Sequence, residues 1–490
     1  MRLLLAALAI ALLGGCAGGE YFRDAGPPPP PAPRALADLP WRELWTGVVF
    51  QGRKIGFARL TLRAAPGAPG RWEIDSDSAL RLRFHGIDKR VSLHAVDVVR
   101  DDLVLERFRY DYRIDGSALQ LDGERDGSAL RVRIEQAGVR SEKRFDDAGR
   151  ALPVNALSLL PVLRGMRVGD VFRARVFVGE AQALEDAELR IEGYERSPLF
   201  DGPAWHLRTT LLDVESETWL DADGRPRLER ALQGAMISGL ETPERARAYL
   251  VEASLNKDEA LLDFSLLRSP PLDEPRRMAA LSIALEGVPA SLHPPATGGQ
   301  RCERDGARLQ CRVDRRTPRA DDGPTPISYL RPSLAVPSNE RQLADLARTI
   351  ASGAGDDRER IDRLLAWIDA NIAQEAVDAF SAADVLRERR GECQGHAYLF
   401  AAFARALGMP TRVVNGIVYS APQGGFLYHT WNEVWIDGEG WRPVDATFDQ
   451  ALADATHVAL AVGEGAAELA PLTAMVGRAR VASVGGAAHW

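Results

Sequence analysis

Three residues in the C-terminal part of the chain, Cys393, His429 and Asp445, have the types and surroundings that thiol chemistry needs. Cys393 sits in RRGECQGHAYLFAAFARALGMP (389–410), where a glycine turn runs into an apolar helical stretch. A helix N-terminus presents unpaired N–H groups and a partial positive charge, which favours thiolate over thiol and can receive an oxyanion. A cysteine kept for packing would sit more naturally in mid-helix on the apolar stripe. Position alone leaves both readings open, because a reactive thiol also needs a base. The segment HTWNEVWIDGEGWRPVDATFDQ (429–450) offers one. On a strand that begins at His429, the side chains of His429, Trp431, Glu433 and Trp435 share one face. Asp437-Gly438-Glu439 reads as a tight turn, and Trp441 to Phe448 as the returning strand. With the hairpin centred on Gly438, Asp445 falls opposite Trp431. It is then a diagonal same-face neighbour of His429, about 7 Å away between backbones. A carboxylate there can hold one imidazole nitrogen while the other faces the thiol. A one-residue slip of register would turn Asp445 to the wrong face, so the geometry is conditional.

The surrounding pattern supplies elements to carry these groups. The helix that begins at Cys393 has Leu399, Phe400, Phe403 and Leu407 on its buried stripe and ends at Gly408 and Pro410. Upstream, Leu343, Leu346 and Ile350 mark one amphipathic helix, and Ile361, Leu364, Leu365, Ile368 and Ile372 mark the next. A short helix starts at a Ser381 N-cap and stops at Gly391.

The rest of the chain is β-rich. Over 41–270 strict alternation appears in LRLRF (80–84), FRYDYRI (108–114) and LRVRIE (130–135), the period of half-buried antiparallel strands. DGSAL occurs at 115–119 and again at 126–130, one strand plus one turn apart, as expected of successive hairpin arms. His85, His94 and His206 are scattered through this region and read as structural. Residues 271–335 read as a small β-module, 336–465 as the domain that carries the chemistry, and 466–490 as a C-terminal tail. At 490 residues several domains are expected, and a net charge of -8 argues against a nucleic-acid partner.

The chain has four cysteines. CERDGARLQC places an Asp305-Gly306 turn between two strand-like runs, so Cys302 and Cys311 are expected to meet as a disulfide. A zinc site would want a second ligand pair at similar spacing, which is lacking. The oxidising setting a disulfide needs is suggested by MRLLLAALAIALLGGC. It has a basic start and an apolar run of eleven, too short to span a bilayer but suited to export. Its Leu-Gly-Gly-Cys ending resembles the lipobox of bacterial lipoproteins, which implies a signal peptide over 1–15 and lipidation at Cys16. Residues 16–40 are Pro-rich and read as an extended tether. With Ala17 after the cysteine, the resemblance implies an outer-membrane anchor facing the periplasm.

GECQGHAYLFAAFARALGMPTRVVNG, HTWNEVWI and GWRPVDATF, in this order over about 340–460, closely resemble the transglutaminase-like superfamily. The resemblance implies a papain-like α+β core, with Cys393, His429 and Asp445 on the family's triad positions. It favours Asp445 over Asp449 as the orienting acid. It also implies that Cys393 attacks a peptide or carboxamide carbonyl to form a thioester, with water or an amine as acceptor. The Cys393 N–H is an oxyanion donor on this reading. Gln394 is a further candidate, or else a helix cap, and Trp367 stands upstream where some relatives use a donor indole, or else packs in the core. Trp431, Trp435 and Trp441 either line an acyl-donor groove or pack. His396, one turn after Cys393, raises a zinc alternative with His429 and Asp445, but the ligand spacing is not of the usual kind. No cofactor is called for, and no EF-hand calcium loop is visible. The expected partners are a peptide or protein substrate, the membrane through the N-terminal lipid alone, and an unknown envelope component on the β-rich region. The contrasting expectation is a periplasmic scaffold that retains the fold without turnover.

Overall fold

The computed structural model describes residues 21–84, 87–115, 117–136, 138–248, 264–316, 326–375, 377 and 379–489. The signal-like segment, Cys16 and His85 lie outside them. The chain is multidomain, a β-rich N-terminal region followed by an α+β core.

The N-terminal region is one large sheet. Strands from Glu43–Phe50 to Val139–Phe145 follow one another as antiparallel neighbours. A second run, Val171–Val178 to Met236–Leu240, joins the first where Met236–Leu240 pairs with Glu43–Phe50. The alternation in LRVRIE is realised in strand Ala129–Gln136, where Leu130, Val132 and Ile134 are buried while Arg131 and Arg133 are exposed. The two DGSAL copies flank strand Ser117–Asp126, which pairs with its neighbours on both sides. Phe108, Tyr110, Phe177 and Trp205 fill the enclosed core.

In the α+β core, helices Arg341–Ile350, Asp357–Asn371 and Ala382–Glu388 bury their expected stripes against helix Cys393–Ala406. Ser381 caps its helix, its side chain accepting from the Asp384 N–H. The sheet beneath is built from Thr411–Ser420, Gly425–Ile436, Gly440–Val444 and Val458–Val462. Among the described residues no helix is long and apolar enough to cross a membrane.

Two expectations about boundaries change. Residues 21–40 are not a free tether. Arg23–Asp24 pairs with strand Ala183–Ser197, Phe22 stacks on Trp219 at 4.3 Å, and the Arg34 N–H donates to the Val162 carbonyl. The aromatic and the arginine fasten what the prolines alone would leave extended. Nor is 466–490 a tail. Strand Arg480–His489 pairs with Met278–Glu286, whose other edge holds the Cys302–Cys311 hairpin. Those two cysteines stand directly opposite and are joined as a disulfide. The module shares one apolar cluster with Tyr419, Phe426, Val458 and Met475, so it is packed into the α+β core rather than standing beside it.

Candidate active site

Cys393 is the first residue of its helix, with Glu392 at the N-cap. The first-turn N–H groups of a helix have no partner within it, and the half-buried Cys393 belongs to that turn. The helix is fastened to the neighbouring strand by the buried Asn432, whose Nδ2 donates to the Ala397 carbonyl over 3.1 Å.

His429 lies on strand Gly425–Ile436, opposite Gly416. The hairpin that follows has the register the sequence suggests, Asn432 facing Val444 and Trp435 facing Trp441. The strand stops at Val444, and Asp445 pairs instead with Gln450 through two backbone bonds of 2.9 Å. That bend frees the Asp445 side chain. Its Oδ1 accepts from the Thr447 N–H at 2.7 Å, and its Oδ2 lies 2.8 Å from His429 Nε2. Nδ1 of His429 is thereby left for the thiol.

The electrostatics follow from this contact. Burial alone works against a charged His429. The Asp445 carboxylate and then the Cys393 thiol outweigh it, and the imidazole is pushed up to about 9. Burial likewise opposes the Asp445 charge, but His429 and His457 hold the carboxyl well below the usual range. Phe448 stacks on the imidazole at 5.0 Å between centroids, and the Arg276 guanidinium lies 4.3 Å from the Phe448 ring centre. Together these groups can take a proton from the thiol, hold it and return it.

The other sequence candidates fall elsewhere. Gln394 donates to the Tyr398 hydroxyl, an anchor neither expected reading contains. Trp367 packs edge-on against Phe403 at 5.5 Å, beneath Arg389, which is its packing reading. Trp431 and Trp435 are buried and pack, whereas the half-buried Trp441 meets the Arg412 guanidinium at 4.1 Å and the Tyr329 ring edge-on at 5.3 Å. The Asp449 pKa is raised by burial and by Asp369 and Asp362, and His429 meets Asp445 instead. The zinc alternative does not form around His396. Its Nδ1 lies 2.9 Å from the Glu392 carbonyl, and burial keeps its pKa below the ordinary imidazole value.

Sequence reasoning missed His457. Its Nε2 lies 2.9 Å from the same Asp445 Oδ2 that meets His429, and its ring is fully buried. ATHVALAVG reads only as a strand, and nothing in its period says that the residue before the strand faces Asp445. Asp454 and Arg276, which extend the contact chain, carried no signal either.

Residues 344–446 match the model of the transglutaminase-like superfamily, so this part of the chain is a transglutaminase-like domain. Among curated proteins the chain is similar to the kyphoscoliosis peptidase of Mus musculus, 32% identical over 127 residues that make up 23% of this chain and 19% of that protein. The Homo sapiens kyphoscoliosis peptidase is 32% identical over 125 residues, again 23% of this chain and 19% of that protein. The match thus spans about a fifth of those relatives. Among solved structures, the periplasmic domain of TgpA from Pseudomonas aeruginosa is 18% identical, with a TM-score of 0.28 over 38% of this chain and 88% of that one. A β-barrel-like protein of a domain of unknown function from Brucella abortus is 8% identical, with a TM-score of 0.33 over 41% of this chain and 95% of that one.

Proposed function

We propose that the protein is an envelope-anchored thiol enzyme that acts on a peptide or carboxamide bond. The observation that carries this reading is the alignment of Cys393, His429 and Asp445, with a His429 ring that favours its protonated form. His429 takes the thiol proton, and the Cys393 sulfur attacks the carbonyl carbon. The oxyanion is received by the N–H groups of the first helical turn. As the C–N bond breaks, His429 returns the proton to the leaving amine or ammonia, leaving a thioester on Cys393. Water or a second amine then attacks the thioester, with His429 as base, and the free thiol is restored. Asp445 fixes the ring's orientation and stabilises the imidazolium throughout.

A cleft of about 1250 Å³ supports a polymeric substrate. Gln394 and Tyr398 of the cysteine helix line one side, and Leu80, Leu93, Tyr112 and Leu119 of the N-terminal sheet line the other. Gln394 is the residue next to Cys393 in the chain, so the cleft borders the first turn of the cysteine helix, with the β-rich region as its other wall. The envelope setting rests on the export-type N-terminus and on Cys16, expected to carry lipid. We favour water as the acceptor.

The test is incubation of the full-length protein with casein and a fluorescent alkylamine. New peptide ends without dye indicate hydrolysis, dye on casein indicates amine transfer, and Cys393→Ala abolishes either. No change in casein or in a panel of periplasmic extracts, with Cys393→Ala indistinguishable from the parent, favours the scaffold.

A further inference from the structure

We infer that His457 is a positioning residue that carries both ring protons, gripping the same Asp445 oxygen that meets His429 and limiting how strongly Asp445 holds the His429 proton. This rests on the thiol-enzyme reading for its consequence, though not for its geometry.

The argument begins with what faces each ring nitrogen. Nε2 of His457 lies 2.9 Å from Asp445 Oδ2. Nδ1 lies 3.2 Å from the Asp454 carbonyl oxygen and 3.4 Å from Asp454 Oδ1. All three atoms are acceptors. A neutral imidazole has one N–H and one lone pair, so either tautomer would aim a lone pair at an acceptor inside a fully buried site. Only the imidazolium satisfies both sides.

The charges around the ring allow this. Asp445 and Asp454 flank it, both fully buried. Asp454 is in turn held by Arg276 at 2.8 Å and by the Thr456 N–H at 2.8 Å. Two cations oppose the charge: Arg315, which donates to the His457 carbonyl over 3.1 Å, and His429, whose ring centre is 5.7 Å away. Burial also opposes it, but the two carboxylates prevail and the ring's pKa lies above the ordinary imidazole value.

The consequence is a shared carboxylate. Asp445 Oδ2 serves two imidazoles, so a fixed cation at His457 drains part of its pull on His429 and repels a second positive ring. Without it, His429 would release its proton less readily to a leaving group. The same contacts stop Asp445 from turning away while His429 changes charge.

The experiment is long-range proton–nitrogen NMR on the full-length protein labelled with ¹⁵N-histidine, from about pH 6 to about pH 11.5, with His457→Gln used for assignment and as the variant. His457 is expected to show two protonated nitrogens at pH 7. In His457→Gln the His429 midpoint is expected to rise by roughly one to two pH units, the scale of losing a like charge at such a distance. A His457 with one bare nitrogen at pH 7 overturns the inference, and so does an unmoved His429 midpoint. If the variant does not fold, substituting the other histidines in turn assigns His457 by elimination, and its nitrogen pattern in the otherwise unsubstituted protein decides. Neither readout needs turnover, so an inactive protein would sink the proposed function and leave this result standing.

Discussion

Gly416 stands directly opposite His429 in the adjacent antiparallel strand, and the site depends on its having no side chain. A Cβ at 416 would lie 2.1 Å from the Val458 carbonyl oxygen and 2.8 Å from the Trp431 ring. Its absence lets strand Val458–Val462 close in, which in turn brings His457 beside Asp445. Gly416→Ala is therefore expected to destabilise the protein by about 1–3 kcal/mol, the usual cost of overpacking, because the obstacle is backbone that cannot step aside. Urea unfolding measures this. A variant as stable as the parent would mean that the strand yields more easily than the contact implies.

The pairing of Cys393 with His429 predicts how the thiol reacts. In a Cys16→Ser background, Cys393 is the free thiol among the described residues. Alkylation by iodoacetamide at pH 7 should slow about tenfold or more in His429→Ala, because the base that takes the thiol proton is gone. Asp445→Asn should slow it less, because the imidazole remains. Equal rates in parent and His429→Ala would remove the basis for a thiol enzyme.

What the sequence makes legible here is local. The hairpin register that brings Asp445 to His429 follows from alternation and one Asp-Gly turn, and the Ser381 cap and the Cys302–Cys311 pairing are equally short-range. The missing parts all depend on distant returns of the chain. Arg480–His489 is rich in small residues with two adjacent glycines, so it shows little strand character until Met278–Glu286 supplies an edge. Phe22 is hidden in a segment whose prolines dominate its composition, and its partner Trp219 lies far along the chain. His457 belongs to the same class, since only the folded sheet sets it against Asp445.

The disulfide closes the hairpin that braces the site. Gln300, two residues before Cys302, exchanges two 2.8 Å bonds with the Ala459 backbone, next to Val458 and His457. Cys311 is fully buried. The Cys302→Ala/Cys311→Ala pair should cost roughly 2–3 kcal/mol, the loop-entropy scale for a crosslink spanning about ten residues. Denaturation with and without reductant checks this: the parent should lose that stability on reduction while the double variant does not respond. A parent indifferent to reductant would mean that the bond contributes nothing measurable.

The N-terminal sheet carries its own titrating group. Asp97 is fully buried, accepting from the Tyr110 hydroxyl at 2.6 Å and from Asn155 Nδ2 at 3.3 Å. Burial raises its carboxyl to about 7, and these two hydrogen bonds only partly offset it. Between the ordinary carboxylate range and pH 7 the folded state therefore binds a proton that the unfolded chain has released. Stability must fall as pH rises through that window, by on the order of 2–4 kcal/mol for one such group. Asp97→Asn keeps an acceptor for Tyr110 and removes the charge. It should match the parent near pH 4 and exceed it at pH 8 by that amount, measured as the urea-unfolding difference at each pH. The same difference at both pH values, or a variant weaker at pH 8, would show that Asp97 is ionised without penalty in the folded protein.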